Sequence, residues 1–304
     1  MKITAFTIST LFLSLSIAAQ EYSHTSIKDH LVNITQFVSR NESDTASLNA
    51  VANYIHDHFD QFSDSVAFQN FQVAHKAYKN VIASFGAENS KRLIIGAHYD
   101  VCGIQPGADD NASGVVGLLK IAEYLKEKKL NIRIDLVAYT LEEPPYFSTK
   151  NMGSYKHAEY LKKNGIDVEG MICLEMIGYF DERKKTQDYP TNLLRLFYGS
   201  RADYITVVSK FGNGKFSRKY IRNFKRQSSI RDKKFKSPSW IPGVDFSDHR
   251  NYWAFGYSAI MITDTAFYRN RNYHEKSDTV ESLDLDKMKE VIETVCKSLK
   301  VYER

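Results

Sequence analysis

Apolar residues recur every three or four positions in three stretches of the chain, which is the spacing of a helix with one buried face. The spacing predicts helices over 46–59, 115–125 and 286–299. Short apolar runs predict buried strands over 92–98, 132–140, 171–177 and 258–263, and the pattern is extended over 66–73 and 81–85. Because strands alternate with helices, we expect a three-layer α/β/α sandwich with a mixed, mostly parallel central sheet.

The first residues differ from the rest of the chain. Met1 and Lys2 supply one positive charge, residues 3–17 are apolar or hydroxylic, and Ala18-Ala19-Gln20 offers a small-residue cleavage site. This pattern predicts a signal peptide over 1–19 and a single domain over 20–304. No later stretch is apolar enough to span a bilayer. We therefore expect a soluble protein, secreted or periplasmic, without a membrane anchor.

Composition and charge exclude few classes of protein. The chain has 304 residues with 43% hydrophobic and 25% charged residues, which are ordinary globular values. The net charge of +5 is mild, although residues 210–236 hold eleven basic residues and one acidic residue. No nucleic-acid motif accompanies that run, so we expect a solvated loop and helix face and no nucleic-acid partner. The three cysteines leave at least one unpaired, and without a C-x-x-C pair they do not support a thiolate zinc site.

Polar clusters follow the predicted strands, at 96–100, 106–114, 141–144 and 272–279. In open α/β sheets, binding sites lie beyond the carboxyl ends of the strands. Two of the polar residues, Glu142 and Glu143, are adjacent and come directly after a buried strand. Like charges packed together are costly unless a cation compensates them, and a pair of divalent metals would do so.

The available donors are histidines and carboxylates, which suit zinc or, less specifically, manganese or cobalt. Two metals can share a bridging carboxylate and a bridging water. Such a site needs one histidine and one carboxylate for each metal, one shared carboxylate and a free base. The clusters contain that inventory.

In their order along the chain, the clusters resemble metallopeptidase family 28, the co-catalytic dizinc aminopeptidases. The resemblance covers about residues 48–283, and the stretches 142–147 and 151–154 are similar to a secreted bacterial subgroup of that family. It implies a zinc exopeptidase fold and two zinc ions. The ligands that it implies are His98, Asp109, Glu143, Glu175 and His274.

The resemblance also implies roles within the site. Asp109 would bridge the two metals, Glu142 would act as general base, and Tyr273 would donate a hydrogen bond to the tetrahedral intermediate. The family implies a cis peptide between Asp109 and Asp110. The chain departs from the family at Glu175, where the aminopeptidases carry Asp.

Residues next to the ligands have expected supporting roles. Asp100 is placed to orient His98, and Asp278 to orient His274. For Asp278 a turn cap is an equal alternative. Asp248 and its neighbour His249 would either form the wall of the pocket or support the ligands from behind.

These expectations amount to a metal-assisted hydrolysis of the amino-terminal peptide bond of peptides. Three alternatives remain: a glutaminyl cyclase, which is an acyltransferase that generally works with one zinc; a carboxypeptidase specificity; and a non-catalytic binding module. The complete set of ligands and the bridging carboxylate favour hydrolysis.

Overall fold

The computed structural model describes residues 26–304, and the predicted signal peptide lies outside the described residues. Eight strands within 26–304 form one sheet. In chain order they are β1 (Ser65–Val73), β2 (Lys76–Phe85), β3 (Arg92–His98), β4 (Arg133–Tyr139), β5 (Val168–Glu175), β6 (Ile205–Lys210), β7 (Asp232–Ser237) and β8 (Ala259–Thr263).

The strands lie in the order β1-β2-β4-β3-β5-β8-β6-β7. Strands β4, β3, β5 and β8 are parallel neighbours at the centre, and β6 and β7 are parallel to each other. The pairs β1–β2, β2–β4 and β6–β8 are antiparallel. The predicted mixed, mostly parallel sheet is therefore confirmed.

Helices cover both faces of this sheet, as predicted. They are α1 (Ile27–Thr35), α2 (Thr45–Asp60), α3 (Gly114–Leu125), α4 (Gly153–Lys163), α5 (Leu194–Tyr198), α6 (Gly214–Gln227), α7 (His249–Ala254) and α8 (Leu285–Leu299). Successive side chains of a strand point to opposite faces. Accordingly, Leu93 and Ile95 of β3 join the apolar core under α2, α3 and α8, while Ile94 joins a smaller core under α4 and α7.

The basic run 210–236 forms helix α6 and edge strand β7. Three aromatic residues of α6, Phe216, Tyr220 and Phe224, recur every four positions and are buried. The basic residues of α6 occupy the other positions, so the expected solvated helix face is what the structure has. Among residues 26–304, no helix is both long and apolar enough to cross a membrane.

Candidate active site

The central parallel strands deliver three predicted residues to one edge of the sheet. His98 is the last residue of β3, Glu143 follows β4, and Glu175 is the last residue of β5. Nε2 of His98 lies 3.5 Å from Oε2 of Glu175. His274 reaches the same place from the loop that follows β8, and its Nε2 lies 3.2 Å from Oε2 of Glu143.

The residue between the two histidines is Asp110. Its Oδ1 lies 3.3 Å from Nε2 of His98, and its Oδ2 lies 3.2 Å from Nε2 of His274. One carboxylate thus faces both histidines with separate oxygens. We call His98, Asp110, Glu143, Glu175 and His274 the strand-end cluster.

Asp109, the predicted bridging residue, points elsewhere. Its Oδ1 accepts a hydrogen bond from the backbone N–H of Gly178 (2.9 Å), and its Oδ2 accepts one from Asn270 (2.7 Å). Asp110, one residue further along the chain, is the aspartate that faces both histidines, and it occupies the place where Asp109 was expected. The cis peptide is shifted in the same way, because it joins Asp110 to Asn111 and not Asp109 to Asp110.

Asp278 explains why the loop turns Asp110 inward. Its carboxylate accepts hydrogen bonds from the backbone N–H groups of Asp109 (3.0 Å) and Asp110 (3.0 Å). Burial and the neighbouring Asp109 raise the pKa of Asp278 to about 8. Asp278 was expected either to orient His274 or to cap a turn, and the hydrogen bonds that its carboxylate accepts come from the turn at Asp109 and Asp110.

Arg40 holds the same loop from the other side. Its buried guanidinium donates to the carbonyl oxygens of Tyr99 (2.9 Å), Pro106 (2.5 Å) and Gly107 (2.8 Å). The chain just after β3 and the turn before Asp110 are therefore tied to one side chain near the amino end of the described residues. Sequence reasoning missed Arg40, because nothing in its local pattern marks it.

Asp100 supports both the histidine and the paired glutamates. Its carboxylate accepts hydrogen bonds from the backbone N–H groups of Glu142 (3.2 Å) and Glu143 (3.1 Å). Nδ1 of His98 lies 3.2 Å from the backbone oxygen of Asp100 and 3.5 Å from its carboxylate. One residue thus fixes the turn after β4 and faces the ring of His98.

Glu142 lies inside the site but farther from the histidines than Glu143 does. Its Oε2 is 3.8 Å from Nε2 of His98. Burial raises the pKa of Glu142 well above its usual range, and the neighbouring Glu143 and Glu175 add to that shift. The side chain lines a cleft together with Asp110 and Phe147.

Ser247 and Asn111 hold Glu175 in place. Oε2 of Glu175 accepts a hydrogen bond from the Ser247 hydroxyl (2.5 Å) and a longer one from the Asn111 amide (3.4 Å). Asn111 also donates to the backbone oxygen of Leu174 (2.9 Å). Sequence reasoning missed Asn111, although it directly follows Asp110 in the same turn.

Asp248 and His249 begin α7, below the site. Both carboxylate oxygens of Asp248 are buried and have no hydrogen-bond partner in the described chain. Burial raises the pKa of Asp248 to about 7. His249 instead lies outside the cluster, because its Nε2 pairs with the backbone oxygen of Val244 (2.8 Å).

Electrostatics of the strand-end cluster favour a bound cation. Burial raises the pKa of Glu143 to about 7, with a further contribution from Asp110. Burial alone would lower the pKa of His274, yet Asp110 and Glu143 outweigh it and raise that pKa to about 10. Several carboxylates packed in a buried site are costly without positive charge nearby.

The donor atoms of the cluster fit metal ions. Within residues 26–304, Oδ2 of Asp110, Oε1 of Glu143 and Nε2 of His274 are buried without a hydrogen-bond partner. Donor atoms of His98, Asp110 and Glu175 lie within 4.8 Å of one another. Histidine and carboxylate donors at such separations suit zinc. Cys102 also comes within 4.8 Å of Glu143 and His274, although burial raises the pKa of its thiol to about 11.

An apolar pocket opens beside the strand-end cluster. It borders Glu175 and Tyr273, and its other walls are mainly aromatic or aliphatic. Members of those walls include Tyr189, Tyr204, Val208, Phe246, Met261, Phe267 and Tyr268. Tyr273 stands at the boundary, with its ring stacked on His274 at 3.8 Å between centroids. A side chain bound here would lie next to the cluster.

Comparison with known proteins places these features in a family. The sequence model of peptidase family M28 matches residues 80–299. The protein YfbL of Escherichia coli K12 is 40% identical over 271 residues, which cover 86% of this chain and 83% of YfbL.

Two solved structures share the fold at low sequence identity. The LapA aminopeptidase of Legionella pneumophila has a TM-score of 0.72 and 18% identity, and the match covers 92% of this chain and 72% of LapA. The glutaminyl cyclase of Porphyromonas gingivalis has a TM-score of 0.65 and 21% identity, with 91% and 97% covered. The shared fold therefore carries more than one activity.

Proposed function

This chain belongs to peptidase family M28, and we propose that it is an exported zinc aminopeptidase that removes residues from the amino end of peptides. The observation that carries the proposal is the carboxylate of Asp110, which faces His98 with one oxygen and His274 with the other. A shared carboxylate between two histidines is what a site for two metals requires. Export rests on the signal peptide predicted for residues 1–19.

In this proposal His98, Asp110 and Glu175 hold one zinc ion, and His274, Asp110 and Glu143 hold the other. When bound, the ion pair supplies a Lewis-acidic centre that polarises the scissile carbonyl group and makes an attacking water more acidic. Glu175 replaces the Asp of the aminopeptidases. The hydrogen bond from Ser247 keeps its longer side chain directed at His98.

Glu142 is the general base in this proposal. It lies 3.8 Å from His98, buried and beside the ligands. Its raised pKa suits a group that accepts a proton from the attacking water and then delivers it to the leaving amine. Tyr273 stacks on His274, and its hydroxyl group is proposed to donate a hydrogen bond to the oxyanion.

The cleft and its neighbouring pocket suggest which substrates bind. Asp110, Glu142, Glu143 and Glu175 surround the cleft with carboxylates. A free ammonium group gains charge-assisted hydrogen bonds from carboxylates that an acylated nitrogen cannot make. The adjoining apolar pocket then favours a large apolar side chain at the amino terminus.

The test compares matched substrates with free and acetylated amino termini. We expect leucyl and phenylalanyl anilides and short free-amine peptides to be hydrolysed, and their acetylated forms to react orders of magnitude more slowly. Peptides that begin with glutamine test the alternative, since a glutaminyl cyclase would release ammonia and leave the chain length unchanged. Equal rates on both forms, or cleavage only beside a free carboxylate, would contradict the aminopeptidase assignment.

A further inference from the structure

A second group of metal-binding side chains lies away from the active site, among the helices. His30 of α1, His58 of α2 and Glu123 of α3 bring one donor atom each to within 4.8 Å of one another. We call these three residues the helix cluster. We propose that it is a structural zinc site that fastens α1 to α2 and α3, independent of the catalytic metals.

The distances from each histidine to Glu123 match the separations between ligand atoms around a tetrahedral ion. Nε2 of His30 lies 3.6 Å, and Nε2 of His58 lies 3.4 Å, from the same oxygen of Glu123, Oε1. Bonds of about 2.0–2.2 Å at tetrahedral angles put neighbouring ligand atoms about 3.3–3.6 Å apart. The strand-end cluster shows the same range, 3.2–3.5 Å.

The surroundings of His30 favour a metal over a hydrogen bond. The ring is fully buried, and its Nε2 has no hydrogen-bond partner in the part of the chain that the structure describes. Its Nδ1 lies 2.7 Å from the hydroxyl of Tyr54. The tautomer in which Nδ1–H donates to Tyr54 leaves the Nε2 lone pair directed at the cluster, as a zinc ligand requires.

The two carboxylate oxygens of Glu123 face different partners. Lys120 pairs with Oε2, whereas Oε1 faces both histidines.

His58 has a competing interaction. Its Nε2 also lies 3.3 Å from the backbone oxygen of Leu119. That contact is the arrangement expected without an ion, and a bound ion would replace it. The rings of His30 and His58 meet edge to face, with centroids 4.8 Å apart, so both present a nitrogen to one point without stacking.

The first experiment counts zinc. The exported chain is stripped with a chelator, dialysed against zinc alone and analysed for zinc per chain, in the wild type and in His30→Gln and Glu123→Gln. We expect each variant to hold one ion fewer than the wild type. His56→Gln is the control, because His56 lies on α2, as His58 does, but is partly exposed beside Asp57 and is not part of the helix cluster. Equal zinc content in all four proteins would overturn the proposal.

The second experiment removes the catalytic ligands. In a His98→Ala/His274→Ala background, zinc should still raise the melting temperature and slow hydrogen exchange in α1. Glu123→Gln should abolish both effects. This proposal does not depend on the proposed aminopeptidase activity. If the aminopeptidase assay failed, the expected difference in zinc content between the wild type and the variants would be the same. If Glu123→Gln does not fold, the test uses the His98→Ala/His274→Ala protein alone. The proposal is contradicted if zinc does not slow hydrogen exchange in α1 of that protein.

Discussion

The strand-end cluster and the helix cluster use the same kinds of donor but are built differently. In the first, parallel strands deliver His98 and Glu175 to one edge of the sheet, and backbone hydrogen bonds to Asp278 direct Asp110 inward. In the second, three helices each contribute one side chain from a packed face. A cleft adjoins the first cluster, whereas His30 is fully buried. The comparison distinguishes the proposed catalytic site, which borders a cleft, from the proposed structural site among the helices.

The sharpest test of the strand-end cluster replaces Asp110 and its neighbour Asp109 with Asn, one at a time. Asp110→Asn should reduce activity to background and release metal, because the shared carboxylate loses its charge. Asp109→Asn should retain more metal and more activity than Asp110→Asn, since an amide oxygen can still accept from the N–H of Gly178, although the new amide nitrogen would face the Asn270 amide that donates to Asp109. Elemental analysis and anilide hydrolysis measure both. If Asp109→Asn lost metal and Asp110→Asn kept it, the bridging role would have to be assigned to Asp109.

Proton transfer gives the next largest effect. Glu142→Gln should keep the metal content of the wild type and lower kcat by about 10²–10⁴-fold, because only the base is removed. Glu143→Gln should instead weaken metal binding. If the metal were lost from Glu142→Gln and kept in Glu143→Gln, base and ligand would have to be exchanged.

A smaller effect is expected in the apolar pocket. Val208 borders the pocket, while Val207 points to the opposite core. Val208→Phe should lower kcat/KM for leucyl substrates about tenfold relative to alanyl substrates, because it fills space that a large side chain needs. Val207→Phe controls for general destabilisation, and its leucyl-to-alanyl ratio should equal that of the wild type. An unchanged ratio in Val208→Phe would place side-chain recognition elsewhere.

The smallest effect on catalysis should come from the helix cluster. His30→Gln should leave kcat/KM within about twofold at a temperature where the protein is folded, because no residue of that cluster touches the cleft. It should lower the melting temperature more in zinc than in chelator, where only the packing of His30 and its contact with the Tyr54 hydroxyl are lost. A large loss of kcat/KM with unchanged melting temperature would mean that the two clusters are not separate in function.

The sequence predicted the elements that carry strong patterns. Strand Arg92–His98 is found at the predicted residues, and the helices predicted over 115–125 and 286–299 begin one residue earlier. Helix α4 escaped prediction because few of its residues are apolar, and β7 because half of its residues are basic. Edge strands and surface helices bury little, so their patterns are weak.

Those residues of the site that a local sequence pattern marks could be predicted from the sequence. Glu142 and Glu143 follow a buried strand, and that position alone marks them. The choice between Asp109 and Asp110 is different, since both lie in one turn. The structure decides it through Asp278, more than 150 residues away in the sequence. Arg40 and Asn111 escaped for the same reason: their contacts depend on the folded chain.

The hydrogen bonds of Asp278 have a consequence for the order in which the protein matures. His274 and Asp278 are synthesised after His98, Asp110 and the paired glutamates, yet Asp278 sets the direction of Asp110. A nascent or truncated chain that ends before His274 contains His98, Asp110 and the glutamates, but it lacks the second histidine and the carboxylate that directs Asp110 inward. In the proposed two-metal site, metal would therefore bind after these residues have been synthesised and folded. A chain cut short before residue 274 would keep the residues of all eight strands but would lack His274 and Asp278, and with them a complete site for the proposed metals.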